Sequence, residues 1–324
     1  MKKIHLISTL IGLLAFSTLA KADLKVVTSI KPIHSLASYI MDGVGSPGLI
    51  VDGYNSPHSF QLKPSHAKML EQANIIFWIG EDLENFLEKP LATIAKKAEK
   101  IELLEIKGIK KLKFRERNIF EEHDDHGHDA KKEEHDDDDD HGHDAKKEEH
   151  DDHDDHGHGE YDPHIWLDPI NAKVILSEIT EHLIENDSKN ASTYKSNLAK
   201  ALAEIDKLII DVITETNTDL NYVVFHDAYQ YYENRFNVNI LGAMTVNPDV
   251  MPGAEQIHEI HEVIEHDNVS CILSEPQFNP DIIKSISKDT NVKTGVLDPL
   301  GANLKSGKDL YFDLIKNMSA SFNC

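Results

Sequence analysis

The stretch DSKNASTYKSNLAKALAEIDKLIIDVITET, residues 187–216, predicts the element around which the fold is organised. Its apolar residues are spaced by four, three, four and three positions, and they are Leu198, Leu202, Ile205, Ile209 and Val212. This spacing places them on one face of an α-helix of about eight turns. A single helix of this length indicates a long connection between two separate folded units.

Strand-like and helix-like segments alternate on both sides of this helix. The apolar runs read as strands are LKVVTS, GLIV, IIFWIG and IELLEI before the helix, and YVVF, VNILGA, VSCILS and KTGVLD after it. Such alternation predicts α/β lobes with mostly parallel sheets, joined by one long rigid helix, with a cleft between the lobes. We expect an N-terminal α/β lobe over 23–186, a linker helix over 187–216 and a C-terminal α/β lobe over 217–324. Ser65 is the expected N-cap of the helix that follows GLIV.

The first 22 residues are typical of a signal peptide. Lys2 and Lys3 precede the apolar run LISTLIGLLAFSTLA, and the small residues of AKA end at Ala22. This pattern predicts a soluble protein exported to the periplasm after cleavage near Ala22. The two cysteines, Cys271 and Cys324, could then form one disulfide or remain as two free thiols, and export to an oxidising compartment favours the disulfide.

Residues 121–160 form an acidic, histidine-rich segment. Twenty acidic residues there stand against four lysines, so two thirds of the formal net charge of −24 lies in this segment. The sequence HGHDAKKEEHDD occurs twice, at 126–137 and 141–152. With almost nothing apolar to bury, the segment predicts a disordered loop inserted in the first lobe. Its histidines are possible accessory metal ligands: His123, His126, His128, His135, His141, His143, His150, His153, His156 and His158.

Four residues outside the loop fall where open parallel sheets bind ligands, beyond the carboxyl ends of strands. His58 follows the strand GLIV, His164 follows the acidic segment, His226 closes YVVF, and Asp298 closes KTGVL. Each alone could be an ordinary cap or turn residue. Because both lobes would direct these loops into one cleft, we expect them to assemble a metal site. Three imidazoles with a carboxylate or water favour Zn²⁺ over Ca²⁺, Mg²⁺ or Mn²⁺.

Six motifs of the chain, in the same order, resemble those of a known family. The motifs are TSIKPIHSLAS (28–38), SPHSFQLKPS (56–65), DPHIWLDP (162–169), FHDAYQYYE (225–233), SEPQF (274–278) and TGVLDPLG (294–301). Together they are similar to the periplasmic zinc-binding proteins of zinc ABC importers, in the cluster A-I (cluster 9) family of metal solute-binding proteins. The resemblance covers essentially the whole mature chain, including a charged, histidine-rich insertion.

This resemblance implies a function and a ligand set. It implies a non-enzymatic, high-affinity zinc-binding component that delivers Zn²⁺ to a membrane permease with a cytoplasmic ATPase. By motif, the implied ligands are His58, His164 and His226, with Asp298 as a weaker ligand or a group behind the ligands. Manganese-binding relatives carry a carboxylate in place of His226, which favours zinc here. Cys271 and Cys324 match a disulfide found in part of the family.

Other functions remain open from the residues alone. The loop could make the chain a periplasmic zinc buffer or chaperone, or a collector or sensor that serves the cleft, or it could be a solubilising insert. A zinc hydrolase also holds its metal with three ligands and water, and Glu275 is the candidate base. No motif typical of turnover chemistry is present, and no basic patch indicates nucleic acid. We expect a monomer.

Overall fold

Two four-stranded sheets, one before and one after the long helix, form the two lobes. In this computed structural model the described residues are 23–115, 117–120, 159–246, 248 and 250–324. The expected signal peptide and residues 121–158 of the acidic segment lie outside them, as do all ten of its candidate histidine ligands. Among the described residues, no helix combines the length and the apolar character needed to cross a membrane.

The first sheet has the strand order β2-β1-β3-β4, with every pair parallel. Its elements in chain order are β1 (Val26–Thr28), α1 (Lys31–Ile40), β2 (Gly48–Leu49), α2 (Pro64–Gln72), β3 (Ile75–Trp78), α3 (Glu81–Thr93), β4 (Glu99–Glu102) and α4 (Pro169–Asn186). All four residues of β3 are buried, as expected for a parallel strand covered by helices on both faces. The prediction of Ser65 as N-cap was wrong: the N-cap is Lys63, two residues earlier, and the helix begins at Pro64, because proline suits the first helical turn.

The second sheet repeats this arrangement with the order β6-β5-β7-β8, again parallel throughout. Its elements are β5 (Asn221–His226), α6 (Gln230–Phe236), β6 (Asn239–Thr245), α7 (Ala254–His266), β7 (Val269–Ser274), α8 (Asp281–Thr290), β8 (Lys293–Val296) and α9 (Leu310–Ser321). Cys271 in β7 and Cys324 at the chain end form a disulfide, as predicted. The fold class predicted from the sequence is therefore confirmed.

The long helix, α5, covers Ala191–Glu215 and follows a short 3₁₀ turn at Ser188–Asn190. It packs against α1 and α4 of the first lobe and against α9 of the second. Its buried residues are Tyr194, Asn197, Ala201, Ile205, Leu208 and Val212. The predicted stripe shares only Ile205 and Val212 with this set, and its other members are partly buried beside it. The fully buried face is therefore rotated about the helix axis relative to the predicted stripe, and the two together form a wider covered face because three helices pack on α5.

The lobes meet at a loop that precedes α9. The ammonium of Lys31, at the start of α1, donates hydrogen bonds to the carbonyl oxygens of Gly301 (2.7 Å), Ala302 (3.1 Å) and Leu304 (2.8 Å). These bonds compensate the buried charge of Lys31, which is 3% exposed. The first lobe therefore holds a loop of the second lobe directly beside the cleft.

Candidate metal centre

Three histidines from separate segments converge between the lobes. His58 lies in the loop between β2 and α2, His164 precedes a 3₁₀ turn at Ile165–Leu167, and His226 ends β5. One ligand atom from each lies within 4.8 Å of the others. The ring centroids are 5.6 Å apart for His58 and His164, 5.7 Å for His58 and His226, and 5.2 Å for His164 and His226. The three predicted histidines are thus brought together by the fold.

Two of these imidazoles are buried and oriented by carboxylates. His164 Nδ1 lies 2.7 Å from Asp162 Oδ1, and His226 Nδ1 lies 2.5 Å from Glu275 Oε1. With Nδ1–H donating to the carboxylate, each Nε2 presents its lone pair to the cleft. This arrangement of carboxylate behind histidine is the one that orients metal-bound imidazoles. Glu275, considered from the sequence as a catalytic base, lies where it positions His226.

The two Nε2 atoms have the spacing of a tetrahedral metal site. His164 Nε2 and His226 Nε2 are 3.4 Å apart. Zinc–nitrogen bonds of about 2.05 Å in a tetrahedron place neighbouring donors about 3.3 Å apart. A distance of 3.4 Å is long for a hydrogen bond between the rings. The spacing therefore suits an ion bound between the two nitrogens.

Burial and charge set the protonation of the two rings differently. Burial lowers the pKa of His164 well below its usual value. Burial also lowers the pKa of His226, but the nearby carboxylates of Glu275, Asp227 and Asp162 together outweigh burial and leave that pKa above its usual value. Behind His164, burial raises the pKa of Asp162 to about 7. His164 is therefore ready to bind a cation near neutral pH, whereas a proton competes for His226.

Asp298 lies beside the cleft, but its carboxylate is directed at the protein backbone. Its Oδ1 accepts hydrogen bonds from the backbone N–H groups of Leu300 and Gly301, both at 3.0 Å, and from the Gln277 side chain at 2.9 Å. Its Oδ2 accepts one from Ala302 N–H at 2.5 Å. The structure does not bring this carboxylate into the cluster of converging ligand atoms. Instead it holds the loop that Lys31 also binds.

Aromatic rings and an arginine surround the histidines. The Trp166 ring lies 5.3 Å from that of His164, and its Nε1–H donates to the Pro299 carbonyl across the lobes at 2.8 Å. Phe278 lies 5.8 Å from His226 on the other side. Arg115 donates to Asp227, the neighbour of His226, at 2.9 Å. These groups limit the access of water and balance the negative charge around the site.

The sequence identifies the three histidines that converge, but it does not identify the side chains that surround and orient them. Asp162 stands in the motif DPH, two residues before His164, and that short spacing was the signal that could have assigned it. Arg115 gave no local signal, because its partners Asp227 and Glu233 lie more than a hundred positions away. By residue type alone Trp166 is expected only to pack in the core, and its hydrogen bond to Pro299 depends on how the lobes pack.

The chain matches known proteins over nearly its full length. Residues 26–323 match the family described as zinc-uptake complex component A, periplasmic (ZnuA). A protein of Brucella abortus named High-affinity zinc uptake system protein ZnuA is 46% identical, over 99% of this chain and 98% of its own length.

Solved structures share the fold at lower identity. A laminin-binding adhesin (Lmb) mutant of Streptococcus agalactiae superposes with a TM-score of 0.70 at 21% identity, covering 93% of this chain and 98% of its own. A zinc-bound ZnuA deletion mutant superposes with a TM-score of 0.69 at 20% identity, covering 92% of this chain and 96% of its own. At such identities the likeness extends to the fold alone.

Proposed function

The chain belongs to the ZnuA family of periplasmic zinc-uptake components, and from this premise we propose that it captures Zn²⁺ with His58, His164 and His226. It is the zinc-binding component of a zinc uptake system, and Zn²⁺ is its cargo. The observation that carries the ligand assignment is the tetrahedral spacing of two Nε2 atoms, each held in place by a carboxylate on its other ring nitrogen.

The donor set favours zinc over manganese. The converging ligand atoms come from three histidines, and imidazole nitrogen is a better ligand for Zn²⁺ than for Mn²⁺, which prefers carboxylate and water oxygens. The nearby carboxylates Asp162 and Glu275 are engaged with the far sides of the rings. In our proposal a water molecule fills the fourth position, and Asp298 supports the site by holding its loop.

Delivery follows from the same arrangement. In this proposal the zinc-loaded protein presents its cleft to a membrane permease, and a cytoplasmic ATPase drives that permease. The zinc-binding protein acts as a monomer and has no turnover chemistry of its own. Because α5 packs on both lobes, capture and release depend on local movements of the loops that carry His58 and Asp298, with little rotation of the lobes. The histidine-rich loop serves as an accessory collector of Zn²⁺ for the cleft.

The experiment is a zinc titration of the mature protein against a competing chelator. Three proteins are compared: the wild type, a variant lacking residues 123–158, and His226→Ala. We expect one tight site in the first two proteins and none in the third. Loss of tight binding with the loop, and its survival in His226→Ala, would instead identify a loop-based zinc buffer. Tighter binding of Mn²⁺ than of Zn²⁺ by the wild type would identify a manganese-binding relative.

A further inference from the structure

A second group of metal-binding side chains lies at the outer end of the first lobe. We infer that His182, Glu99 and Glu185 form a separate Zn²⁺ site, of lower affinity than the cleft. Glu99 begins β4, and the other two lie on the last turns of α4. His182 is about 20 Å along α4 from the first residue of that helix, Pro169, and His164 lies before that end of the helix.

The distances within this outer cluster suit a cation. One ligand atom from each of the three residues lies within 4.8 Å of the others. His182 Nδ1 is 2.8 Å from Glu99 Oε1 and 4.0 Å from Glu185 Oε2. His182 and Glu185 are three positions apart on α4, so they share a helix face. Small rotations of the exposed Glu185 side chain would equalise these distances around one ion.

The other ring nitrogen of His182 is already oriented. Its Nε2 lies 3.1 Å from Glu178 Oε1, one helical turn earlier on α4. Asn186 Nδ2 donates to Glu99 Oε2 at 3.0 Å, which fixes the Glu99 carboxylate. The pattern repeats that of the cleft, where carboxylates behind His164 and His226 leave the other ring nitrogen of each free to bind a metal. The outer cluster therefore has both ligands and supporting groups.

The Nδ1 atom of His182 is out of contact with solvent and is not aligned for a hydrogen bond, although it lies within ion-pair distance of Glu99. In the tautomer that carries its N–H on Nε2, this N–H group donates to Glu178 Oε1. The lone pair of Nδ1 then faces Glu99 Oε1 at 2.8 Å, so both atoms can bind one cation. A divalent cation bound by both atoms satisfies this buried ring nitrogen.

The chemistry of the ligands selects the ion and its affinity. One imidazole with two carboxylates is a set that binds Zn²⁺, and the imidazole disfavours Ca²⁺ and Mg²⁺. The carboxylates of Glu99 and Glu185 are 39% and 61% exposed, so water competes for them more than in the cleft. The outer site therefore fills after the cleft is saturated.

The test measures the response of the His182 ring nitrogens to zinc in the full mature chain. Zinc chloride is added to histidine-labelled (¹⁵N) protein, and the ring nitrogens are followed by NMR, with His182→Gln used to assign the signal. We expect the His182 Nδ1 resonance to move on zinc binding after the cleft signals have moved. In Glu99→Gln, which keeps the shape of the side chain, the zinc needed for half of the change should rise about ten-fold or more.

His258 is the matched control in the same spectrum. It stands 3.5 Å from Glu262 on an exposed face of α7, and no third ligand joins it among the described residues. Its signals should not move at the zinc concentration that half-saturates His182. An unmoved His182 Nδ1 signal, or equal zinc dependence in wild type and Glu99→Gln, overturns the inference. The NMR signals of the cleft histidines are observed separately from those of His182. If the cleft signals fail to respond to zinc, that result counts against the cleft as a zinc site and not against the outer cluster.

Discussion

The cleft and the outer cluster use one bonding pattern at very different depths. In the cleft, His164 and His226 have side chains 4% and 3% exposed, and the carboxylates behind them are 1% exposed. In the outer cluster, His182 is 18% exposed and Glu178 behind it is 29% exposed. Buried side chains hold their geometry without further loss of freedom on binding, whereas exposed ones must be ordered by the ion. Depth, more than residue type, should therefore separate a high-affinity site from a weak one.

The largest expected effect is the difference between removing an imidazole from the cleft and removing one from the outer cluster. His226→Ala should weaken tight zinc binding by more than about 100-fold, because the remaining ligands cannot complete the site. His182→Ala, which removes the same ring from the outer cluster, should leave tight binding unchanged. Competition with a chelator measures both. Equal losses in the two variants would contradict the distinction between the clusters.

The next effect comes from the carboxylates behind the rings. Glu275→Gln should weaken binding in the cleft by about 10- to 100-fold at neutral pH, because an uncharged amide oxygen orients His226 less strongly than the carboxylate does. The same substitution also removes the charge that raises the pKa of His226, so binding should persist to lower pH than in the wild type. Titrations at several pH values separate these two effects. Glu178→Gln is the matched control, and a change in tight binding there would argue against two independent sites.

Lowering the pH should release zinc from the cleft in the wild type. The raised pKa of His226 means that protons compete for its imidazole at a higher pH than for an ordinary histidine. Affinity is therefore full above that pKa and falls as the pH drops through it, by about ten-fold per pH unit for each proton taken up. Chelator competition between about pH 8 and pH 5 measures the slope. A flat profile would mean that His226 is not a ligand.

A smaller effect is expected from Asp298. Because its carboxylate accepts hydrogen bonds from the loop backbone, Asp298→Asn should weaken zinc binding by no more than about ten-fold. The loss should lie well below that of His226→Ala in the same assay. A loss as large as that of the histidine variant would identify Asp298 as a direct ligand.

Glu84 lies in neither cluster and provides a test of stability alone. Burial raises its pKa to about 7, against the hydrogen bonds that it accepts from Ile79 N–H and Gly80 N–H. Between its unfolded pKa and this value, the folded state holds a proton that the unfolded state lacks. The free energy of unfolding should therefore fall as pH rises from about 5 to 7, by up to about 1.4 kcal/mol per unit.

Glu84→Gln should remove that part of the pH dependence and leave zinc binding unchanged. Urea unfolding of the zinc-free protein at several pH values, beside the wild type, measures the difference in slope. An identical slope in both proteins would mean that Glu84 is ionised in the folded state throughout this range.

The sequence by itself determined the α/β alternation, the long helix and the choice of three histidines as candidate metal ligands. These features depend on local periodicity and on short motifs, which neighbouring residues along the chain define. His226 ends an apolar strand, and parallel strands present their carboxyl ends to ligands. The sequence alone therefore places this histidine at the ligand-binding edge of a sheet.

Only the tertiary structure decided what surrounds those histidines. The pairing of Glu275 with His226, the contact of Lys31 with the loop at Gly301 and the turning of Asp298 toward backbone amides join residues far apart in the chain. The outer cluster likewise joins Glu99 to His182 across the first lobe. Such contacts depend on how helices and sheets pack in three dimensions, and no periodicity in the sequence encodes them.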